Sequence, residues 1–86
     1  YGIQSASNVY YGKNIDELAL AQLAMIAGLP KAPSAYNPIT NPERAIERRN
    51  WILGRMHSLS FITKDELDAA LLAPVTAKYH TTEGEL

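Results

Sequence analysis

The chain has 86 residues, a formal net charge of −1 and no cysteine. This length allows one small domain or a piece of a larger one, and because the chain begins at Tyr1 inside a sequence pattern we expect a piece. The near-neutral charge argues against bulk electrostatic binding of nucleic acid, and the lack of cysteine excludes a disulfide framework and a thiolate metal site. No apolar run approaches the roughly 18 residues of a membrane span, and no signal peptide is visible.

The first part of the chain predicts a short helix, a turn and a longer apolar helix. Residues 3–10 favour the short helix, and Gly12 is free to adopt a positive φ in the turn that ends it. Asn14, with Glu17 three residues later, is typical of a helix start. The helix predicted over 15–27 is apolar nearly all round, so we expect it to be buried on several sides.

A proline-rich loop is predicted to follow this helix. Gly28 suits the C′ position at the helix end, and Pro30 prevents the helix from continuing. The loop over 29–40 holds three prolines, which restrict the backbone and favour a fixed surface over a floppy linker. Lys31 and Ser34 lie three residues apart in it, and an ammonium with a hydroxyl can bind a phosphate. By spacing alone, an ordinary surface loop is the favoured interpretation of this pair.

The next helix is predicted to run from Pro42 to about His57, with Asn41 as its N-cap and Glu43 in its first turn. Helical spacing places four side chains on one basic stripe of this helix: Arg44, Arg48, Trp51 and Arg55. The stripe is either a binding surface for an anion or a solvated face with ion pairs along the helix.

Arg49 differs from the other arginines because it lies on the apolar face of the same helix. An arginine is expensive to bury without partners. We therefore expect Arg49 to be a structural anchor that binds a carboxylate or several carbonyls, in sequence outside this chain.

The last helix is predicted over 64–72, after a turn around 58–62, with Thr63 as its N-cap and Glu66 at its third position. Its expected buried residues are Leu67, Ala70 and Leu71. Pro74 ends this helix, and the polar segment over 75–86 is expected to be extended or linker-like.

No catalytic centre can be assembled from these residues. The carboxylates lie at helix starts, where capping and the helix dipole explain them. His57 and His80 are isolated, so no metal site is expected. From the residues alone, the chain is an α-helical piece with a candidate anion-binding loop.

Several stretches carry a resemblance to a known family: "YGIQSASNVYYGKNIDELALAQLAMIAGLPKAPSAYNP", "NPERAIERRNWILGRM" and "FITKDELDAAL". Over residues 1–73 they closely resemble the C-terminal half of the peptidoglycan glycosyltransferase domain of class A penicillin-binding proteins. Residues 48–56 match that family's last motif, Arg-Arg-x-x-aliphatic-Leu-x-Arg-Met.

The resemblance implies a mainly α, lysozyme-like fold and a parent enzyme that polymerises lipid II into glycan strands. The family's two catalytic glutamates lie in upstream motifs that this chain lacks, so we expect no catalytic residue here and no activity of the chain alone. In the family, the residues equivalent to Lys31 and Ser34 contact the donor diphosphate or the phosphate of moenomycin-type inhibitors. Asn37, Arg48, Arg49 and Arg55 match motif positions and are expected to support the fold, as is the turn Tyr10–Lys13.

The resemblance also suggests what surrounds the chain. Residues 74–86 are expected to begin a linker towards a transpeptidase domain, through which a bifunctional parent would bind β-lactams. The expected location is the periplasmic side of the bacterial inner membrane, reached through missing upstream segments. The chain itself is expected to bind no cofactor, although divalent cations could assist the parent.

Two alternatives stay open at this point. The parent could be a monofunctional transglycosylase without a transpeptidase domain. The chain could also be a stand-alone helical module whose basic stripe binds an acidic partner, although its near-neutral charge argues against this and against nucleic acid as a partner.

Overall fold

The computed structural model describes residues 2–29 and 34–80 of the chain. Within these ranges there are helices and no strands, as the sequence predicts. The elements are α1 (Ile3–Tyr11), a 3₁₀ turn (Ile15–Glu17), α2 (Leu20–Ala27), α3 (Pro42–Ser58) and α4 (Lys64–Leu72).

A left-handed glycine ends α1. Gly12 has φ 64°, and its N–H donates to the carbonyl of Asn8 at 3.0 Å. A Cβ at Gly12 would lie 2.8 Å from Nδ1 of His80, which is too close. The predicted positive φ at Gly12 is therefore confirmed, and close packing is a second reason for glycine here.

The prediction of one apolar helix over 15–27 is wrong for the first part of that range. The Asn14 N–H donates to the Glu17 carboxylate at 2.9 Å, but the helix that starts there lasts for one 3₁₀ turn. Leu18 and Ala19 are extended, with ψ 144° and 160°, and α2 begins only at Leu20. The Ala19 N–H donates to Oε1 of Gln22 at 2.9 Å, which makes a second helix start inside the predicted helix.

Gly28 ends α2, but not with the left-handed geometry that its predicted position implies. Its φ is −79° and its ψ is −19°, which any residue can adopt. Instead, a Cβ at Gly28 would lie 2.7 Å from Cγ of Arg48 and 3.4 Å from Cδ1 of Ile52. Glycine here lets the end of α2 approach α3 closely.

The helix α2 is the centre of the described structure and contacts α1, α3 and α4. It divides two apolar clusters. The first contains Ala6, Tyr10, Tyr11, Leu18, Ile26 and Leu29. The second contains Ala21, Ala24, Leu53, Ile62, Leu67 and Ala70. Since α2 is covered by these neighbours, it is buried on several sides as expected, with Ala21, Ala24, Met25 and Ile26 as its buried residues. The exposed large apolar side chains lie elsewhere, Phe61 and Leu72 most prominently.

The two later helices begin and end close to where the sequence predicts. Thr63 caps α4, because its Oγ1 accepts from the Glu66 N–H at 3.1 Å and the Glu66 carboxylate accepts from the Thr63 N–H at 2.8 Å. Leu67 and Ala70 are buried as expected, but Leu71 is 37% exposed, which contradicts its predicted burial. Before α4, Ser60 turns the chain with a left-handed φ of 65°.

The described part of the segment after α4, residues 73–80, contains no helix and folds back onto α1. The N–H groups of Lys78 and His80 donate to the carbonyls of Tyr10 and Val9 at 3.0 and 2.7 Å. Ala77 packs against the first apolar cluster. These contacts bring the last described residues beside the first helix.

Candidate functional site

The candidate anion-binding loop is described only in part. Lys31 belongs to residues 30–33 and lies outside the described residues. Ser34 is described and exposed. Its carbonyl accepts from Nδ2 of Asn41 at 3.1 Å. Because Asn41 is also the residue before α3, this bond ties the backbone of Ser34 to the start of that helix.

Asn37 organises the second half of this loop. Its Oδ1 accepts from the N–H of Ile39 at 2.8 Å and of Thr40 at 3.3 Å, which forms an Asx turn. Its carbonyl accepts from the Asn41 N–H at 2.8 Å. The loop therefore enters α3 through three hydrogen bonds accepted by Asn37, two by its side chain and one by its backbone carbonyl.

The predicted basic stripe is not uniform. Arg44 and Arg55 are exposed, whereas Arg48 is half-buried and its alkyl chain lies against Gly28. The Arg48 guanidinium lies 4.8 Å from the ring centre of Trp51, a cation–π distance. Among the described residues, the ion pair present is Lys64 with Asp68 on α4, so this stripe carries no ion pair between described side chains.

A shallow cleft of about 230 Å³ opens along the stripe. It is lined by Tyr36, Arg44, Glu47, Arg48 and Trp51. The Arg44 guanidinium lies 6.0 Å from the Tyr36 ring centre. The Nε atom of Arg48 is buried and has no hydrogen-bond partner within the described part of the chain. The cleft joins the loop after Ser34 to the basic face of α3.

Arg49 is 2% exposed and finds its partners in this chain, not outside it as expected. Its guanidinium donates to the carbonyl of Ala73 at 2.8 Å and to that of Leu71 at 3.3 Å, and Nε donates to Oδ1 of Asn50 at 3.1 Å. The two carbonyls belong to the end of α4 and the residue after it, where the helix dipole favours a cation. Arg49 thus fastens α3 to the end of α4.

Burial around this arginine shifts the pKa values of two groups. Burial raises the pKa of the Tyr11 phenol to about 12, and the nearby Arg49 charge opposes part of that rise. Burial also lowers the pKa of Arg49, which Tyr11 partly offsets. The two groups therefore share one partly dry environment between α1 and α3.

The extended segment over 73–80 contributes a contact to this loop that the sequence did not predict. Oη of Tyr79 accepts from Nδ2 of Asn37 at 3.2 Å, and the Tyr79 ring lies 5.9 Å from that of Tyr10. No local signal predicts this contact, because its partners are 42 residues apart.

The described histidines, aspartates and glutamates form no group of three or more that could hold a metal ion. Within residues 2–29 and 34–80, no helix has both the length and the apolar character needed to cross a bilayer.

Comparison with known proteins shows to which family the chain is similar. The model of the family "Transglycosylase" matches residues 1–57. The chain is 58% identical over 86 residues to penicillin-binding protein 1A of Pseudomonas aeruginosa, covering 100% of this chain and 10% of that protein. A relative from Cupriavidus necator, named only as a transglycosylase, is 53% identical over 75 residues; the match covers 87% of this chain and 32% of that protein.

A solved structure agrees with the sequence comparison. The 2.6 Å crystal structure of penicillin-binding protein 1A from Haemophilus influenzae matches with a TM-score of 0.89 and 48% identity. The match covers 96% of this chain and 12% of that one, so the chain spans about a tenth of its penicillin-binding relatives. The family model covers more than half of the chain, and the helical fold agrees with a solved member's: the chain belongs to the transglycosylase family.

Proposed function

We propose that this chain is part of a peptidoglycan synthase that polymerises lipid II, an undecaprenyl-diphosphate-linked disaccharide pentapeptide, into glycan strands. We place it in the C-terminal half of the glycosyltransferase domain. The observation that carries this proposal is the 58% identity over 86 residues to a penicillin-binding protein 1A.

In this proposal, Lys31 and Ser34 bind the diphosphate of the donor. Negative charge develops on the diphosphate as it leaves, so a fixed ammonium and hydroxyl stabilise the transition state. The support from the described residues is the anchoring of Ser34, whose carbonyl is held by Asn41 at the start of α3. A binding group on an anchored backbone loses less entropy when the ligand arrives.

The motif residues have supporting roles in the proposal. Arg49 joins α3 to α4 through two carbonyls, and Asn37 forms the turn that leads from the loop into α3. Arg48 packs against Gly28 beside the loop, whereas Arg55 is exposed and has its carbonyl bonded to Oγ of Ser58 at 3.0 Å. All four would hold the wall of the site and take no part in proton transfer.

We further propose a bifunctional parent at the periplasmic side of the bacterial inner membrane, with a transpeptidase domain that binds β-lactams. The support for this proposal is that a relative matched over all 86 residues, from Pseudomonas aeruginosa, is a penicillin-binding protein. Moenomycin-type inhibitors would compete for the same diphosphate site.

The test is polymerisation of lipid II by the full-length protein that carries this chain. Lys31→Ala and Ser34→Ala should each lower turnover at least about tenfold, the range seen when a charged hydrogen bond in a site is lost. Labelled-penicillin binding should stay at the wild-type level, because the acylated serine would belong to another domain. A chelator added to the same assay tests for assistance by divalent cations.

Lys64→Ala is the matched control, because it also removes one lysine charge. Lys64 is exposed on α4, where it pairs with Asp68 at 2.7 Å. This variant should turn over lipid II at the wild-type rate. Unchanged turnover in Lys31→Ala would remove the phosphate-binding role of that lysine.

A further inference from the structure

The extended segment over 73–80 reaches the candidate binding loop through one side chain. Tyr79 is anchored on α1, because the neighbouring N–H groups of Lys78 and His80 donate to carbonyls of that helix. From this position its phenol oxygen accepts from Nδ2 of Asn37 at 3.2 Å. A segment that follows the last helix is therefore hydrogen bonded to the loop that precedes α3.

This contact adds a third hydrogen bond to the Asn37 amide. While Nδ2 donates to Tyr79, Oδ1 faces the backbone and accepts from both Ile39 and Thr40. An amide turned the other way would place its donors against those N–H groups and lose both bonds. The two backbone N–H groups therefore set the orientation of the amide, and the Tyr79 hydroxyl adds a further hydrogen bond that holds the Asn37 side chain in that orientation.

The turn made by Asn37 also holds the backbone of Ser34 in place. The Asn37 carbonyl accepts from the Asn41 N–H at 2.8 Å, and Nδ2 of Asn41 donates to the Ser34 carbonyl at 3.1 Å. A continuous set of hydrogen bonds therefore runs from Tyr79 through Asn37 and Asn41 to Ser34. Ile39 and Ala77 also pack against the same apolar cluster, so the turn and the extended segment share one support.

We propose that Tyr79 is a positioning residue for donor binding, acting through Asn37 on the loop that carries Ser34. The inference rests on the proposed function, since it assigns Ser34 to the donor diphosphate. Its consequence is that the segment after α4 is part of the binding site's support. A linker leading to a further domain would then bear directly on affinity for the donor.

The experiment uses the full-length protein with Tyr79→Phe, which removes the hydroxyl and keeps the ring on Tyr10. The KM for lipid II should rise about fivefold with kcat unchanged, because the loss of one hydrogen bond weakens ground-state and transition-state binding equally. In an Asn37→Ala background, Tyr79→Phe should add no further rise, since the intermediate group is already absent.

Thr76→Val is the matched control on the same segment. Oγ1 of Thr76 accepts from Nε2 of Gln22 at 3.4 Å, so this variant loses a hydroxyl that faces α2 and not the loop. Its KM should equal that of the wild type.

Hydrogen exchange gives a readout that does not depend on activity. The amides of Ile39 and Thr40, which donate to Asn37, should exchange about fivefold faster in Tyr79→Phe and at the wild-type rate in Thr76→Val. Unchanged exchange, or a KM equal to that of Thr76→Val, overturns the role of Tyr79 and leaves the proposed function standing. A wild-type protein that does not polymerise lipid II overturns the proposed function, and exchange still decides whether Tyr79 fixes the turn.

Discussion

At Gly28, the end of α2 lies so close to α3 that a methyl group has little room. Gly28→Ala should lower the free energy of unfolding by about 1–3 kcal/mol, because the new Cβ meets Cγ of Arg48 at 2.7 Å and forces that side chain to move. The backbone itself would tolerate alanine, since φ is −79°. Chemical denaturation of the full-length protein, following the domain's own transition, measures the change.

Gly54 provides the opposite control on α3. Nothing lies within 4 Å of a Cβ built there, so alanine meets no obstacle and gains helix propensity. Gly54→Ala should raise the free energy of unfolding by up to about 1 kcal/mol. If both glycine variants shift stability in the same direction, the close approach at Gly28 is not what requires glycine.

Tyr11 should make stability depend on pH in the alkaline range. Burial raises its folded-state pKa to about 12, from 10.0. Below pH 10 both states keep the proton and the contribution is complete. Between pH 10 and 12 the unfolded state ionises first, so stability falls, by up to about 2–3 kcal/mol. Melting temperatures at pH 9.5 and 11.5 should show this fall in the wild type and a smaller one in Tyr11→Phe. Tyr36→Phe, which leaves Tyr11 in place, should keep the wild-type fall.

At the scale of the elements, α3 ends in a Schellman motif built on serine. Ser60 has φ 65°, and the N–H groups of Ser60 and Phe61 donate to the carbonyls of His57 and Met56 at 2.9 Å each. A left-handed conformation costs a residue with a Cβ about 1–2 kcal/mol, and glycine avoids that cost. Ser60→Gly should therefore raise the free energy of unfolding by about 0.5–1 kcal/mol after the entropy of glycine is included.

Ser58→Gly tests the same motif from inside the helix. Ser58 is the last residue of α3, and its Oγ donates to the Arg55 carbonyl at 3.0 Å. Glycine there should lower stability by about 0.5–1 kcal/mol, measured as the midpoint of denaturation. A loss of stability in Ser60→Gly as large as that in Ser58→Gly would contradict this account of the turn.

Patterns within a few residues predicted most of the helix starts and ends. The features that the sequence did not predict depend on contacts between residues far apart in the chain. Thr63 with Glu66 marked the start of α4 correctly, because a cap is a contact over three residues. The break at Leu18 and Ala19 escaped prediction because alanine offers no capping side chain, and the break follows from the burial of Leu18 against α1 and α2.

The candidate site likewise contains features that the sequence predicted and contacts that it did not. The sequence predicted that Arg49 needs carbonyl or carboxylate partners, since burial of a charge demands them. Its partners Leu71 and Ala73 lie 22 and 24 residues away, and neither a periodicity nor a motif points to them. The roles of Lys31 and Ser34 stay predictions.

At the scale of the whole molecule, two apolar clusters share α2, and the chain returns to its first helix. A folded scaffold of this kind can present a binding loop without supplying catalysis. We expect the 86-residue chain alone to leave lipid II unpolymerised, since the glutamates implied by its family resemblance lie in motifs it does not contain. Turnover by the isolated chain, measured beside the full-length protein, would contradict that expectation.

The return of residues 78–80 to α1 also has a mechanical consequence. Everything between Tyr10 and Lys78 lies inside a loop that their backbone hydrogen bond closes. Tension applied across the chain, from residue 2 to residue 80, would travel through α1 and cross directly to the last segment. The hydrogen bonds of Lys78 and His80 to α1 would bear this force first. The helices α2, α3 and α4 would carry no force until these two hydrogen bonds broke.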